Sequence, residues 1–450
     1  MRILLITKES WDDSMYGNNV LTNWFGDKFS DRAEFAHLYC KDGIPKNNCC
    51  SKYFQITDSM VIKSYYTKKR AGKFFIREGF QDATSSGEEF NNERYKKLKK
   101  ITTDFVRVVR DFVWAHAKYN EEGIKKFVEE FNPDIVFCPR LASRGVLKAE
   151  RIVAKYTKAP FVVFTGDNEY SYKMVRFSIA WYINRMQIRK EIRNLTKKTY
   201  AHYYTLSELQ AEEYKKLFGI DTSTLYKGGL FFEDRVHEHI NKPIKIVYIG
   251  KFYCGRWKTL AKLAKCIKSI NEKEQKVILQ IYTKDNVSKK QNKLLNDGKN
   301  SFIMGSVDPD KIQSVYDGAD IALHVEGLDV RNKLLTKYSF STKITDCMAS
   351  GCAVMVISWD KHSGYQYLKN NDIAFAMCNE KDIIKVLESI VSDNQQIADY
   401  AKKVFEYGKK YHQIENVREN LYQDFQQIIE AANKREEKCF QNKHKTRKRF

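Results

Sequence analysis

The chain has 450 residues, 43% of them hydrophobic and 30% charged, and a formal net charge of +22. That length and apolar fraction can fill the cores of two or three domains, which excludes a disordered or fibrous chain. The absence of a run of ~18 apolar residues excludes a membrane span, the Met1–Thr7 start has too short an apolar run for a secretory signal, and ten cysteines without a C-x-x-C pair read as reduced, structural thiols.

A cytoplasmic protein is therefore expected. Its cationic excess fits nucleic acid, anionic lipid headgroups or a nucleotide diphosphate, and charge alone does not choose among them. In chain order, Ile3 to Thr7 reads as a buried strand, followed by a polar loop with Gly17-Asn18-Asn19 and a helix over about 20–29. This strand, loop and helix unit lacks G-x-G-x-x-G, so no dinucleotide cofactor is indicated. Residues 47–100 read as a hydrophilic insertion around one or two strands. Between Tyr95 and Phe131, Ile101, Phe105, Val108, Phe112 and Val113 recur at helical spacing. Strands follow at Ile135–Cys138, at Phe161–Phe164 ending in Thr165-Gly166-Asp167, and at His202–Leu206. From Met174 to Arg193, Phe177, Ile179, Trp181, Tyr182 and Ile188 interleave with Arg176, Arg185, Arg189, Lys190 and Arg193. On a helix this pattern suits a membrane interface, and the plainer reading makes Trp181 and Ile188 core residues.

Beyond Phe231–Pro243 a second such unit opens with the strand Ile244–Gly250, a loop to Arg256 and an amphipathic helix through Ile270. Strands at 277–282, 302–305 and 321–324 alternate with helices, as in a parallel sheet. Asp308-Pro309-Asp310 matches a D-x-D metal signature in form, but Pro309 after Asp308 is an ordinary helix start with Asp308 as its cap, so no metal is expected. From Thr336 to Ser358 a hydroxyl-rich loop with Ser341 and Thr342 runs into a short helix, a stop at Gly351 and a buried strand. Lys343 puts a positive charge in the first turn of that helix, and Asp346 is placed to accept from vicinal hydroxyls such as those of ribose. A last strand is expected at Ile373–Met377 and a helix at about 414–432. Lys434 to Phe450 reads as a basic, disordered tail, with Lys443–Arg449 able to attract an anionic surface.

Phe340–Ser358, FSTKITDCMASGCAVMVIS, resembles the donor-nucleotide segment of family-four retaining glycosyltransferases of bacterial surface-polysaccharide type. Ile249–Arg256, Thr205–Ile220 and Ser363–Leu368 resemble further segments of that family. The resemblance implies an α/β GT-B fold, with two Rossmann-like domains facing a cleft and a C-terminal helix crossing back to the first. The domains would be 1–230 on the acceptor side, a linker at 231–243, 244–413 for the nucleotide sugar, a crossover helix at 414–433 and a basic tail at 434–450. It also implies that Arg256, with Lys258 or Lys251, grips the donor diphosphate, since a planar guanidinium takes two phosphate oxygens at once. Val307 would hold the base through its backbone, and Gly17 and Asn18 would contact donor or acceptor. Two glutamates seven residues apart are frequent in the family. Here the second position is Asp346 and the first is Tyr338, so the ribose contact carries over and the donor-sugar contact does not; Glu326 is the nearest upstream acid. Asp167 stands where the family often has histidine. Asp167 and Glu326 are thus the candidate catalytic acids.

The implied reaction moves a sugar from a nucleotide-diphospho-sugar to a glycan or lipid-linked acceptor with retention. It needs no cofactor, metal or nucleic-acid partner, and it suits the cytoplasm, peripheral on the inner face of the cell membrane. Two alternatives share the scaffold: a sugar-nucleotide epimerase, for which His324 is the one histidine placed in the crevice, and a non-catalytic RNA- or membrane-binding protein.

Overall fold

The computed structural model describes residues 1–13, 20–77, 104–140, 143–166, 168–237 and 239–447. The chain divides into two units: residues 1–172, 176–225 and 418–450, and residues 173–175 with 226–417.

Among the described residues the first unit is built on eight strands: β1 (Arg2–Thr7), β2 (Glu34–Tyr39), β3 (Cys50–Gln55), β4 (Lys73–Ile76), β5 (Ile135–Arg140), β6 (Phe161–Thr165), β7 (Tyr200–Thr205) and β8 (Asp221–Thr224). They lie in the order β4-β3-β2-β1-β5-β6-β7-β8, parallel except that β4 runs antiparallel to β3. The sequences Arg2–Thr7 and Phe161–Thr165 are nearly continuous apolar runs because helices cover both faces of such a sheet. The expected helix at 20–29 is a shorter one, Val20–Phe25, followed by a tighter turn at Asp27–Arg32. The helix expected over 174–193 starts at Ile179, where the Ser178 hydroxyl accepts from the Trp181 amide. Of the two residues the plainer reading places in the core, Ile188 is buried and Trp181 is only half-buried.

The final helix, Ile414–Arg447, belongs to this first unit from Arg418 onward. Arg418 donates to the carbonyls of Asn23 and Thr22 at 2.8 and 3.1 Å, and the Tyr204 hydroxyl donates to Asp424 at 2.7 Å. Phe425 enters a ring cluster with Phe25, Phe29 and Phe137. The stretch read as a disordered tail continues this helix to Arg447. Its lysines, arginines, glutamates and glutamines are good helix formers, and Glu430 and Lys434 pair across one turn.

The second unit has six strands, β9 (Ile244–Ile249), β10 (Val277–Tyr282), β11 (Ser301–Gly305), β12 (Ile321–Val325), β13 (Ala353–Ile357) and β14 (Phe375–Met377). All are parallel, in the order β11-β10-β9-β12-β13-β14. The chain therefore steps outward one way from β9, returns to the middle, and steps outward the other way from β12. Loops leaving neighbouring strands diverge at such a switch point, and a crevice opens at the carboxyl ends of β9 and β12. After β11, Asp308 precedes a single 3-10 turn, Pro309–Lys311, and its side chain makes no capping bond. The turn runs directly into the helix Ile312–Asp317, so the helix start expected at Pro309 is present and only the side-chain bond of the Asp308 cap is missing.

Candidate functional site

The crevice between β9 and β12 is framed by four loops or helix starts of the second unit. After β9, the chain passes through Gly250 and a turn at Tyr253–Gly255 into the helix Arg256–Ile270. After β12 it runs through Glu326 and Gly327. Gly327 is required there, since a Cβ would lie 2.1 Å from the Cys254 carbonyl oxygen, so the two loops touch backbone to backbone. From the other half of the sheet come the helix Thr342–Met348 and, past β13, the loop that ends in the helix Ser363–Asn370.

Arg256 and Glu326 face one another inside this frame. Arg256 is 4% exposed and Glu326 1%. The guanidinium donates Nε to Glu326 Oε2 at 3.1 Å and Nη2 to Oε1 at 2.5 Å, a fork on both carboxylate oxygens. Thr259 donates to the Glu326 carbonyl at 2.7 Å, and His324 Nε2 stands 3.3 Å from Oε1. Burial alone would raise the Glu326 carboxyl, but the neighbouring His324 and the charge of Arg256 outweigh it and hold the group ionised, below the usual carboxylate range. Glu326, expected among the catalytic acids, is thus fully engaged by protein groups. Arg256, expected on the donor diphosphate, already spends two of its donors on Glu326.

Lys343 lies on the other side of the crevice. Its ammonium donates to the Ile249 carbonyl at 2.8 Å and rests over bare backbone at Gly250, where a Cβ would come within 2.2 Å of Nζ. Burial first, and then repulsion from Arg256, lower the Lys343 pKa to about 8. Two cations thus share one low-dielectric crevice while Glu326 is fully committed to Arg256 and Asp346 is paired with Lys227, an arrangement suited to an incoming anion.

Asp346, one turn beyond Lys343, accepts from Lys227 at 2.9 Å and is partly exposed. Ser341 occupies the N-cap position without using its side chain as a cap, and Thr342 is the first helical residue. Lys251 is exposed in the loop after β9, and its carbonyl accepts from Tyr248 at 2.7 Å. Lys258 is exposed on the helix begun by Arg256, and Val307 lies half-buried in the loop after β11, two strands from β9. The structure therefore gathers Arg256, Glu326 and Lys343, and leaves Lys251, Lys258 and Val307 at its periphery. Gly17, Asn18 and Asp167 lie outside the described residues.

The sequence did not point to Lys227, Gly250 or His362. His362 accepts from the Tyr365 amide at 3.2 Å, its Nε2 has no partner, and its ring centre is 6.5 Å from that of His324. Burial holds the His362 pKa down to about 4, so the imidazole is neutral near pH 7. Ser358 Oγ, just past β13, is likewise buried without a partner. Polar groups of this kind at strand ends are what a polar ligand would satisfy.

No protein-family model and no curated protein matches the chain. Solved structures do. HepE from Anabaena in complex with UDP aligns with a TM-score of 0.59 at 11% identity, over 95% of this chain and 100% of that one. HepE in complex with UDP-glucose gives 0.55 at 12%, over 96% and 100%. Sucrose-phosphate synthase from Thermosynechococcus elongatus gives 0.60 at 13%, over 96% and 99%. The chain has the GT-B fold. Both parallel sheets of the GT-B fold are present here, and the crevice described above is at the switch point of the second.

Proposed function

We propose that this chain is a glycosyltransferase that takes a sugar from a nucleotide-diphospho-sugar. The observation that carries the reading is the Lys343 ammonium, seated over Gly250 beside Arg256 at the switch point of the second sheet in a GT-B chain. HepE, which shares the fold, has been solved with UDP and with UDP-glucose. The departing nucleotide diphosphate is an anion, so fixed cations at its position stabilise the transition state more than the ground state. Lys343 and the unspent edge of the Arg256 guanidinium supply that charge. Glu326 acts through Arg256, fixing its plane, and is a positioning residue. Asp167 is the acid proposed for the donor sugar, and Gly17 and Asn18 for the first loop's contact. Lys251 or Lys258 supplies an outer cation, Val307 the backbone contact to the base, and Ser341 and Thr342 hydroxyl contacts to phosphate. Transfer with retention to a glycan or lipid-linked acceptor of cell-surface polysaccharide, at the cytoplasmic face of the membrane, completes the reading.

Titration with UDP, GDP and inorganic diphosphate tests it directly. A nucleoside diphosphate is expected to bind at least tenfold more tightly than diphosphate alone, and equal binding would refute the reading. The buried pair His324 and His362 beside Glu326 gives the epimerase its one point of support. Incubation with a UDP-sugar decides between them: a new glycosidic product supports transfer, an epimerised donor the alternative.

Asp346 gives a second test of the same site. The carboxylate, steered by Lys227, is assigned to the ribose hydroxyls. Asp346→Asn is expected to reduce the preference for UDP over 2′-deoxy-UDP by about tenfold, the worth of one charge-assisted hydrogen bond. Competition binding of the two nucleotides measures it, and an unchanged ratio removes Asp346 from the ribose.

A further inference from the structure

In the loop after β9 the usual order of exposure is inverted. Arg256, a cation, is 4% exposed, whereas the aromatic Tyr253 three residues before it is 56% exposed. Guanidinium groups ordinarily reach for water while rings turn inward. Here the Tyr253 ring lies over the guanidinium, its centre 4.4 Å from Cζ of Arg256. An exposed ring above a buried cation stands between that cation and solvent.

The backbone is bent to make this contact. Cys254 has φ 54° and ψ 29°, and Gly255 follows at φ 76°, so two successive left-handed residues turn the chain between Tyr253 and Arg256. Asn132 and Asp372 are the other described non-glycine residues with positive φ, and both types are eased there by short polar side chains that bond locally. Cysteine has no such means. The turn persists because its surroundings fix it. Gly327 packs bare against the Cys254 carbonyl, and a Cβ on Gly255 would lie 2.6 Å from Nδ2 of Asn332, which is itself held by Asp329 at 2.6 Å. On the other side the Phe252 amide donates to Asp285 at 2.5 Å. Strain over-determined by its neighbours beside a ligand crevice points to a side chain whose placement matters.

The guanidinium is thereby enclosed on more than one side. Glu326 takes its Nε and one N–H of Nη2, and Tyr253 takes a face, which leaves Nη1 and the other N–H of Nη2 in the plane. A cation gains most from a ring where water is excluded, and a charge pair kept from water is screened least by salt. We propose that Tyr253 is a positioning residue of the diphosphate subsite. Its ring fixes the plane of the Arg256 guanidinium and keeps water off the Arg256–Glu326 fork, so that phosphate oxygens meet the cation by its edge. The hydroxyl makes no contact of its own with the ligand, and the ring acts only through Arg256. The proposal deepens the donor reading given above and rests on it.

Isothermal titration with UDP tests it on the parent, Tyr253→Phe and Tyr253→Ala. Tyr253→Phe keeps the ring and is expected to bind as the parent does. Tyr253→Ala is expected to bind about tenfold more weakly, the scale of a desolvated cation–ring contact, and to lose affinity more steeply as salt is added. In a background that lacks the pair, Arg256→Met/Glu326→Leu, the same change to alanine should cost less than about twofold further, since a residue that acts through Arg256 has nothing to act on there. Unchanged affinity and salt dependence in Tyr253→Ala overturn the proposal. So does a loss in Tyr253→Phe equal to that in Tyr253→Ala, which would give the hydroxyl its own contact. A full tenfold loss in the background lacking the pair also overturns it, by placing the ring on the nucleotide itself. A parent that binds no UDP refutes the donor reading and this proposal with it, whereas a parent that binds UDP no better than Tyr253→Ala refutes the role of Tyr253 alone.

Discussion

Arg256→Ala is expected to destabilise the second unit by about 3–5 kcal/mol, the usual cost of removing one partner from a buried ion pair. The loss comes less from the missing attraction than from Glu326, which stays behind in a site where it is 1% exposed. Without the guanidinium the carboxyl either remains charged in low dielectric or takes up a proton, and both are costly. Thermal unfolding followed by circular dichroism should show the second unit melting on the order of 10 °C lower. The double variant Arg256→Met/Glu326→Leu separates structure from binding. Replacing both partners by apolar groups of similar volume is often close to neutral, so the double variant should recover most of the stability. It should not recover UDP affinity, because the cation is gone. A single variant that melts with the parent would show that the pair is not what holds these loops together. A double variant that binds UDP like the parent would confine Arg256 to a structural role.

The same pair marks where sequence reading stops. The strands of the second sheet were legible because each is a short apolar run, such as Ile244–Ile249 and Ala353–Ile357, set between loops and amphipathic helices. That those strands lie parallel followed from their alternation with helices, whereas their order in the sheet did not. That Arg256 would be forked onto Glu326, 70 residues away, was not legible, because no local pattern encodes which loop ends meet at a switch point. Lys227 and Asp346, 119 residues apart, are the same case.

The helix Asp104–His116 fails differently. Phe105 and Phe112 fall at helical spacing and were counted with the apolar repeat, yet they are exposed, and Trp114 and Asp111 are the buried residues. Periodicity shows that a stripe exists, not which neighbour covers it. A helix with one stripe for the core and another for a second surface gives the same count as a wider core face. The basic tail was misread for a related reason: poverty in apolar residues argues against a packed core, but it does not argue against a helix of strong helix formers continued from a docked one.

Lys343 should make nucleotide binding and stability respond to pH in opposite directions. Burial, and then repulsion from Arg256, bring its pKa from the usual 10.5 to about 8 in the folded chain. Between those two values the unfolded chain holds the proton and the folded chain does not, so raising the pH through this window stabilises the fold. Below it, the full cost of the buried cation is carried. A bound diphosphate has the reverse preference, since it favours the charged lysine. The UDP diphosphate keeps its full negative charge throughout this range, its last phosphate proton being lost near pH 6, and the uracil N3 proton, lost near the top of the range, affects parent and variant alike. Affinity is therefore expected to be highest below pH 8 and to fall ten- to a hundredfold by pH 10, the worth of about 1.5–3 kcal/mol for a charge-assisted contact. Lys343→Met should begin at the low affinity, show only the decline that uracil ionisation causes, and be more stable than the parent near pH 7, where it no longer buries a charge. Isothermal titration with UDP at pH 7, 8, 9 and 10, on parent and variant, reads the effect. Parallel declines in the two proteins would place the titrating group elsewhere, and a flat parent curve would take the diphosphate away from Lys343.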